Sequence, residues 1–194
     1  MREGQRELSQ RLVAMVRESV RLMDALSAVR ELKLDSWCIG AGAVRTLVWD
    51  TLHAFEAPSQ LEDIDVMYFD ASAASNRHDT ALERTLCLRR PGIRWEVTNQ
   101  ASVHQWFETH FGQAVRPLHS LEEGVSTWPE YATCVGVTLR CDDSIGVVAP
   151  HGLDDLFDLR VRHNPLRASA ETYRQRVSAK RFGERWPRVC VVPA

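Results

Sequence analysis

At 194 residues, 44% of them hydrophobic and 26% charged, the chain has room for one domain with a substantial core. A formal net charge of -2 leaves no global footprint for a long polyanion, so a nucleic acid would have to use a local basic patch. No apolar run approaches the length of a membrane span, which sets membranes aside as a partner.

Cys38, Cys87, Cys134, Cys141 and Cys190 are odd in number and form no C-x-x-C pair. The N-terminus, Met1 to Glu7, is polar and lacks the apolar core of a secretory signal. Reduced thiols in a cytoplasmic protein are therefore expected, rather than a disulfide framework or a zinc site.

Apolar residues from Leu8 to Val29 recur at steps of three and four, which predicts one helix over 5–31. Residues 1–35 form an N-terminal helical extension in this reading, and 36–194 the main domain. Trp37-Cys38-Ile39 is a short buried strand, and Gly40-Ala41-Gly42 a turn that lets backbone amides come close to a ligand. The helix that follows, over 43–53, points its positive end at the same spot. Arg45 lies in its first turn, where a cation opposes the helix dipole unless an anion sits nearby.

Residues 54–62 form a loop, and Ile64, Val66 and Tyr68 then alternate with Asp65, Met67 and Phe69 as a strand with two differently used faces. Period two puts Asp63 and Asp65 on one face at its beginning. A small polar loop over 70–76 leads to a helix over 77–89, ended by Pro91-Gly92, and 94–99 reads as a third strand with Glu96 opposite to Trp95 and Val97. A helix is expected over 100–111, and 112–127 is the least patterned stretch, either a substrate loop or a helical excursion. Val135, Val137 and Leu139, with Cys141-Asp-Asp-Ser144 before Ile145, suggest a hairpin. Asp154-Asp155 reads as the start of a short helix that the aspartates cap. A basic helix over 168–182 carries Arg174, Arg176, Lys180 and Arg181.

Asp63 and Asp65, with Glu96 from a neighbouring strand, make a cluster of hard oxygens of the kind Mg²⁺ prefers. Two such ions can clamp both the attacking and the leaving oxygen of a phosphoryl displacement. Glu96 either ligates the catalytic metal or draws a proton from an incoming hydroxyl. Taken singly, Asp-x-Asp at a strand entrance is commonly solvated, and Gly-x-Gly is commonly a tight turn. Gly40-Ala41-Gly42 also fails the dinucleotide fingerprint, because Arg45 holds the place of its last glycine. The order strand, glycine turn, helix, Asp-x-Asp strand, acidic strand is far more specific.

That order, in Gly40 to Val44, Asp63-Ile-Asp65 and Glu96, resembles the core of the DNA polymerase beta-type nucleotidyltransferase superfamily. More narrowly, Gly-Ala-Gly-Ala-Val-Arg45, Val48-Trp-Asp50, Trp95 to Ala101, Trp128-Pro129 and Pro150 to Phe157 resemble an uncharacterised bacterial nucleotidyltransferase-like family, from about residue 37 to Pro187. The resemblance implies an α/β (α+β) fold: a mixed β-sheet with packed helices, preceded here by an N-terminal helix. It also implies two Mg²⁺ at Asp63, Asp65 and Glu96. The activity implied is transfer of a nucleoside monophosphate from an NTP, ATP included, to a hydroxyl, with release of pyrophosphate. The superfamily has Gly-Gly or Gly-Ser where this chain has Gly40-Ala41, so no serine hydroxyl is offered to phosphate, and backbone amides aided by Gly42 take that role. Small-molecule, protein and RNA acceptors all stay open. The rivals are a catalytically silent nucleotide-binding or antitoxin-like module of the same fold, and a metal-dependent phosphohydrolase.

Other residues carry competing expectations. Arg45 either meets a triphosphate oxygen or forms an ion pair with Glu62 or Asp50. Asn99, and Gln100 after it, either touch the nucleotide or cap local backbone. Arg174, Arg176, Lys180 and Arg181 either cover phosphates or form a solvated face. Trp106 or Trp128 either stacks on a base or packs in the core. The histidines, among them His53, His104 and His151, show no ligand spacing and read as structural.

Overall fold

Ser19 interrupts the helical run at the N-terminus. In the computed structural model, which describes residues 3–73 and 76–194, the single helix expected over 5–31 is two: α1 (Glu3–Glu18) and α2 (Val20–Arg30). Ser19 is extended (φ -82°, ψ 96°), and its hydroxyl accepts from the Leu22 amide at 3.3 Å. A serine oxygen competes well with the helical carbonyl for an amide, so an apolar period that runs on does not guarantee a helix that does. Both helices bury their apolar faces, Leu12 and Val16 from α1 and Leu22, Leu26 and Val29 from α2, in the core that the sheet also lines.

Five strands form the main sheet: β1 (Trp37–Gly40), β2 (Ile64–Tyr68), β3 (Trp95–Asn99), β4 (Gly136–Leu139) and β5 (Ile145–Val148). Their order is β3-β2-β1-β4-β5, parallel between β2 and β3 and antiparallel elsewhere, which is the mixed sheet expected. A parallel pair needs a long crossover, supplied between β2 and β3 by α4 (Asn76–Arg89). The polar loop before it is described as far as Ala73; Ala74 and Ser75 lie outside the described residues, as do Met1 and Arg2. The hairpin expected around residues 141–144 joins β4 to β5.

Gly40 pairs with Gly136 across β1 and β4. A Cβ at Gly40 would stand 2.7 Å from the Trp128 ring and 2.8 Å from the Val135 carbonyl oxygen, and a backbone oxygen cannot swing aside. Gly40→Ala is therefore expected to destabilise the protein by about 2–3 kcal/mol, measurable as a lower urea midpoint at unchanged slope.

Helix α3 (Gly42–Leu52) packs on the sheet through Val44, Val48 and Trp49. After β3 come α5 (Val103–Phe111) and α6 (Leu121–Ser126), so the unpatterned 112–127 is in part a helical excursion. Beyond β5 lie α7 (Asp154–Phe157), β6 (Arg160–Val161), α8 (Ala170–Lys180), α9 (Phe182–Arg185) and β7 (Cys190–Val191); β6 and β7 pair as a small parallel sheet. Asp154 and Asp155 occupy the first turn of α7 but do not cap it. Leu153 is at the cap position, Asp154 accepts from the Gln5 amide at 2.7 Å, and buried Asp155 binds Arg162 at 2.8 Å. A side chain 149 residues away took over one carboxylate and one seven residues away the other. Among the described residues no helix is long and apolar enough to cross a membrane.

Candidate active site

The chain leaves β1 through Ala41, whose φ of 47° and ψ of -115° belong to a region that glycine occupies freely and alanine does not. The Ala41 amide donates to the Val135 carbonyl at 3.2 Å, which pins the turn to β4. No side chain caps α3, so the amides of its first turn stay available to an anion. Ala41→Gly is expected to raise stability by about 1 kcal/mol, as an upward melting shift, because relief of strain exceeds the added freedom of the unfolded chain.

The parallel register of β2 and β3 sets Asp65 beside Glu96, with Asp63 two residues back on the same face. Burial, then the charges of Asp63 and Glu96, push the Asp65 carboxyl up to about 6. Glu96 is half-exposed and lies 3.4 Å from the Arg94 guanidinium. In kind these donors suit Mg²⁺: three carboxylates, with no sulfur or imidazole among them. Among the described residues, however, no group of three His, Cys, Asp or Glu side chains stands in metal-binding geometry. The sheet thus brings the three carboxylates to one end of one face without drawing them into a tight cage.

Arg45 is 4% exposed, and its guanidinium lies over the rings of Phe182, Trp186 and Trp49 at 5.1, 5.3 and 5.5 Å. Burial pulls its pKa down to about 10, so it remains a cation at neutral pH, and its Nε has no hydrogen-bond partner. The expected ion pair with Glu62 or Asp50 does not form. Glu62 binds Lys180 at 2.8 Å, while Asp50 accepts from Ser59 and from the Trp186 indole, each at 2.7 Å. Asn99 takes the local alternative. Fully buried, its amide accepts from the backbone of Asp70 and Ala101 and donates to the carbonyls of Asp70 and Ala73. His53 is structural too, bridging the Trp49 carbonyl and the Arg188 amide.

A cavity of about 360 Å³ opens beside these groups on the face of β2 and β3 that carries the carboxylates. Asp65, Met67 and Thr98 form its floor and Ala41 one edge; Trp106, Phe107, Phe111 and Trp128 supply ring surfaces. Of the basic stretch, Arg176 alone lines it. Arg174 pairs with Glu171, Lys180 with Glu62 and Arg181 with Glu184, all partly exposed contacts of the surface kind. Arg176 is held at 2.7 and 3.2 Å by both oxygens of Glu130, a carboxylate with 1% of its side chain exposed that also accepts from Thr133 at 3.0 Å. Glu130 belongs to no motif, yet the sequence marks it: it is the lone charged residue between Glu123 and Arg140, and a carboxylate in so apolar a run is one that will be buried with a partner.

A family model described as nucleotidyltransferase matches residues 27–191. No curated protein matches the chain. Among solved structures, an NMR structure described as a CCA-adding enzyme head domain is 28% identical, with a TM-score of 0.81 over 95% of this chain and 96% of that one. A CCA-adding enzyme in complex with CTP gives a TM-score of 0.56 at 12% identity over 95% of this chain. The Thermotoga maritima CCA-adding enzyme complexed with tRNA gives 0.55 at 12% identity over 92%. This chain spans only 43% and 42% of those two longer proteins, and at such identity the likeness is one of fold.

Proposed function

Because this chain belongs to a nucleotidyltransferase family, we propose that it moves a nucleoside monophosphate from an NTP to a hydroxyl acceptor and releases pyrophosphate, using Mg²⁺. The observation that carries the proposal is the position of Asp65, which borders the Gly40 turn, neighbours Asp63 and Glu96, and floors the large cavity. Asp63 and Asp65 would hold the metal, with Glu96 as the third carboxylate. Bound there, Mg²⁺ would neutralise phosphate charge and orient the reacting oxygens.

The chain's own groups supply the rest. Amides at the start of α3, around Gly42, bind triphosphate oxygens in place of a serine hydroxyl. Arg45 adds a fixed positive charge that, among the described residues, no carboxylate within ion-pair distance cancels. Glu96 takes the acceptor's proton after leaving Arg94, a contact between two exposed side chains that is weak enough to break readily. Asn99 enters only as the brace of the 70–73 loop. Residues 36–194 carry the chemistry and the helices of 1–35 support the sheet from behind. A cytoplasmic setting suits this activity, since NTPs and Mg²⁺ are plentiful there and the five unpaired cysteines would stay reduced.

A second reading, a nucleotide-sensing module without turnover, draws support from the lack of three carboxylates in metal geometry among the described residues. Incubation with each α-labelled NTP, Mg²⁺ and a cell extract as acceptor source separates the possibilities. Labelled product is the expected result. Free NMP would point to hydrolysis, and nucleotide-dependent thermal stabilisation without turnover would point to sensing.

A further inference from the structure

The cavity beside Asp65 is rich in apolar and ring surface. Met67 and Val103 join the four aromatic residues in presenting flat apolar surface. Its two cations are placed differently: Arg176 is paired with Glu130, while Arg167 lies over the Phe107 ring at 5.5 Å and donates to the Arg116 carbonyl at 2.6 Å, leaving its Nη1 buried without a hydrogen-bond partner. Arg174, Lys180 and Arg181 are tied to Glu171, Glu62 and Glu184, so among the described residues α8 and its C-terminal end offer no unpaired track for a phosphodiester backbone. A volume of about 360 Å³ is the size of a small-ligand pocket.

The position of the cavity says which substrate enters it. Gly42, Arg45, Asp63 and Glu96 stand outside its lining; Ala41 and Asp65 touch both regions. In-line displacement requires the entering and leaving oxygens to lie on opposite sides of the phosphorus. With pyrophosphate departing toward the start of α3 and Arg45, the cavity is the entering side.

Building on the transferase reading above, we infer that this cavity seats the acceptor, and that the acceptor is a small, ring-bearing hydroxyl compound rather than the end of an RNA. Its ring lies among Trp106, Phe107 and Trp128, and its hydroxyl reaches Asp65. That oxygen bonds to the α-phosphorus of the NTP, the bond from phosphorus to the bridging oxygen breaks, and pyrophosphate leaves. The hydroxyl proton passes to Glu96.

The test uses the full chain and 2-naphthol as a neutral ring-bearing probe. Saturation-transfer NMR follows 2-naphthol and a short single-stranded oligoribonucleotide, while equilibrium dialysis follows the four common NTPs with Mg²⁺. Ala168→Trp fills the cavity from its rim, Trp106→Ala removes one wall, and a melting curve on each verifies folding. The expected result is that 2-naphthol binds whether or not NTP is present and loses about 10-fold in affinity or more in both variants, with NTP affinity held within about 2-fold. Failure of 2-naphthol to bind overturns the proposal. So does parallel loss of NTP binding in folded Ala168→Trp, which would make the cavity the seat of the nucleotide's own base. Oligoribonucleotide binding that Ala168→Trp abolishes overturns it in favour of an RNA end. Naphthol binding by a wild-type protein that binds no NTP is a different pattern: it overturns the transferase reading, and the acceptor role with it.

Discussion

Asp65→Asn is expected to lower nucleotidyl transfer by about 1000-fold or more while making the protein more stable. The two effects share one cause. Asp65 is a carboxylate mostly removed from water, flanked by Asp63 and Glu96, and its environment resists ionisation enough to raise its pKa to about 6. Held ionised at neutral pH, it destabilises the fold; asparagine keeps the shape and removes the charge. A gain of about 1–2 kcal/mol is expected in urea unfolding with a chelator present. The same substitution takes away the central oxygen donor of the proposed metal site. A variant that loses activity and stability together would mark Asp65 as a structural residue and sink the assignment, whereas opposite signs are what a functional carboxylate produces.

Glu130→Ala is expected to destabilise the protein by about 2–4 kcal/mol. The Glu130 carboxylate is buried to 1% of its side-chain surface and makes both oxygens available to Arg176, with Thr133 donating to one of them. Removing it leaves a cavity, a hydroxyl without that acceptor, and a guanidinium without its paired carboxylate. Arg176 keeps 36% of its side chain exposed and can turn toward water, which holds the loss below that of a fully buried broken pair. Glu130→Gln, which preserves the hydrogen-bonding outline, should lose clearly less. Chemical denaturation of the three proteins side by side measures the difference, and equal losses for Ala and Gln would mean that the charge pairing contributes nothing.

Much of the site's frame could be read locally. The alternation through Ile64, Val66 and Tyr68 put Asp63 and Asp65 on one face, and that through Trp95 and Val97 put Glu96 on the face away from the core. Neither pattern says that β2 and β3 are parallel neighbours with Asp65 level with Glu96; that depends on how α4 carries the chain across. Ser19 shows the limit of periodicity even within one segment, since a single hydroxyl bond to Leu22 divides a helix whose apolar spacing runs on unbroken. Arg45 and Asn99 were legible as polar residues near the turn and the third strand. Their partners were not, because Phe182 and Trp186 reach Arg45 from the end of the chain, and Asn99 bonds to the 70–73 loop.

Local sequence was enough for the order of strand, glycine turn, helix and acidic strands. Those features are periodic or stereochemical, set by residues within a few positions of one another. The tertiary structure alone decided which carboxylate of the cluster is driven out of water, which cation of the basic stretch points inward, and what surrounds Asp65. Arg176 and Glu130 lie 46 residues apart, and the aromatic surfaces of the cavity come from α5 and from Trp128. Burial and ion pairing between distant segments depend on how the whole chain packs. The glycine turn and the Asp-x-Asp strand that dominate the sequence therefore frame the site, while the lining of the cavity beside them carries what can be said about its acceptor.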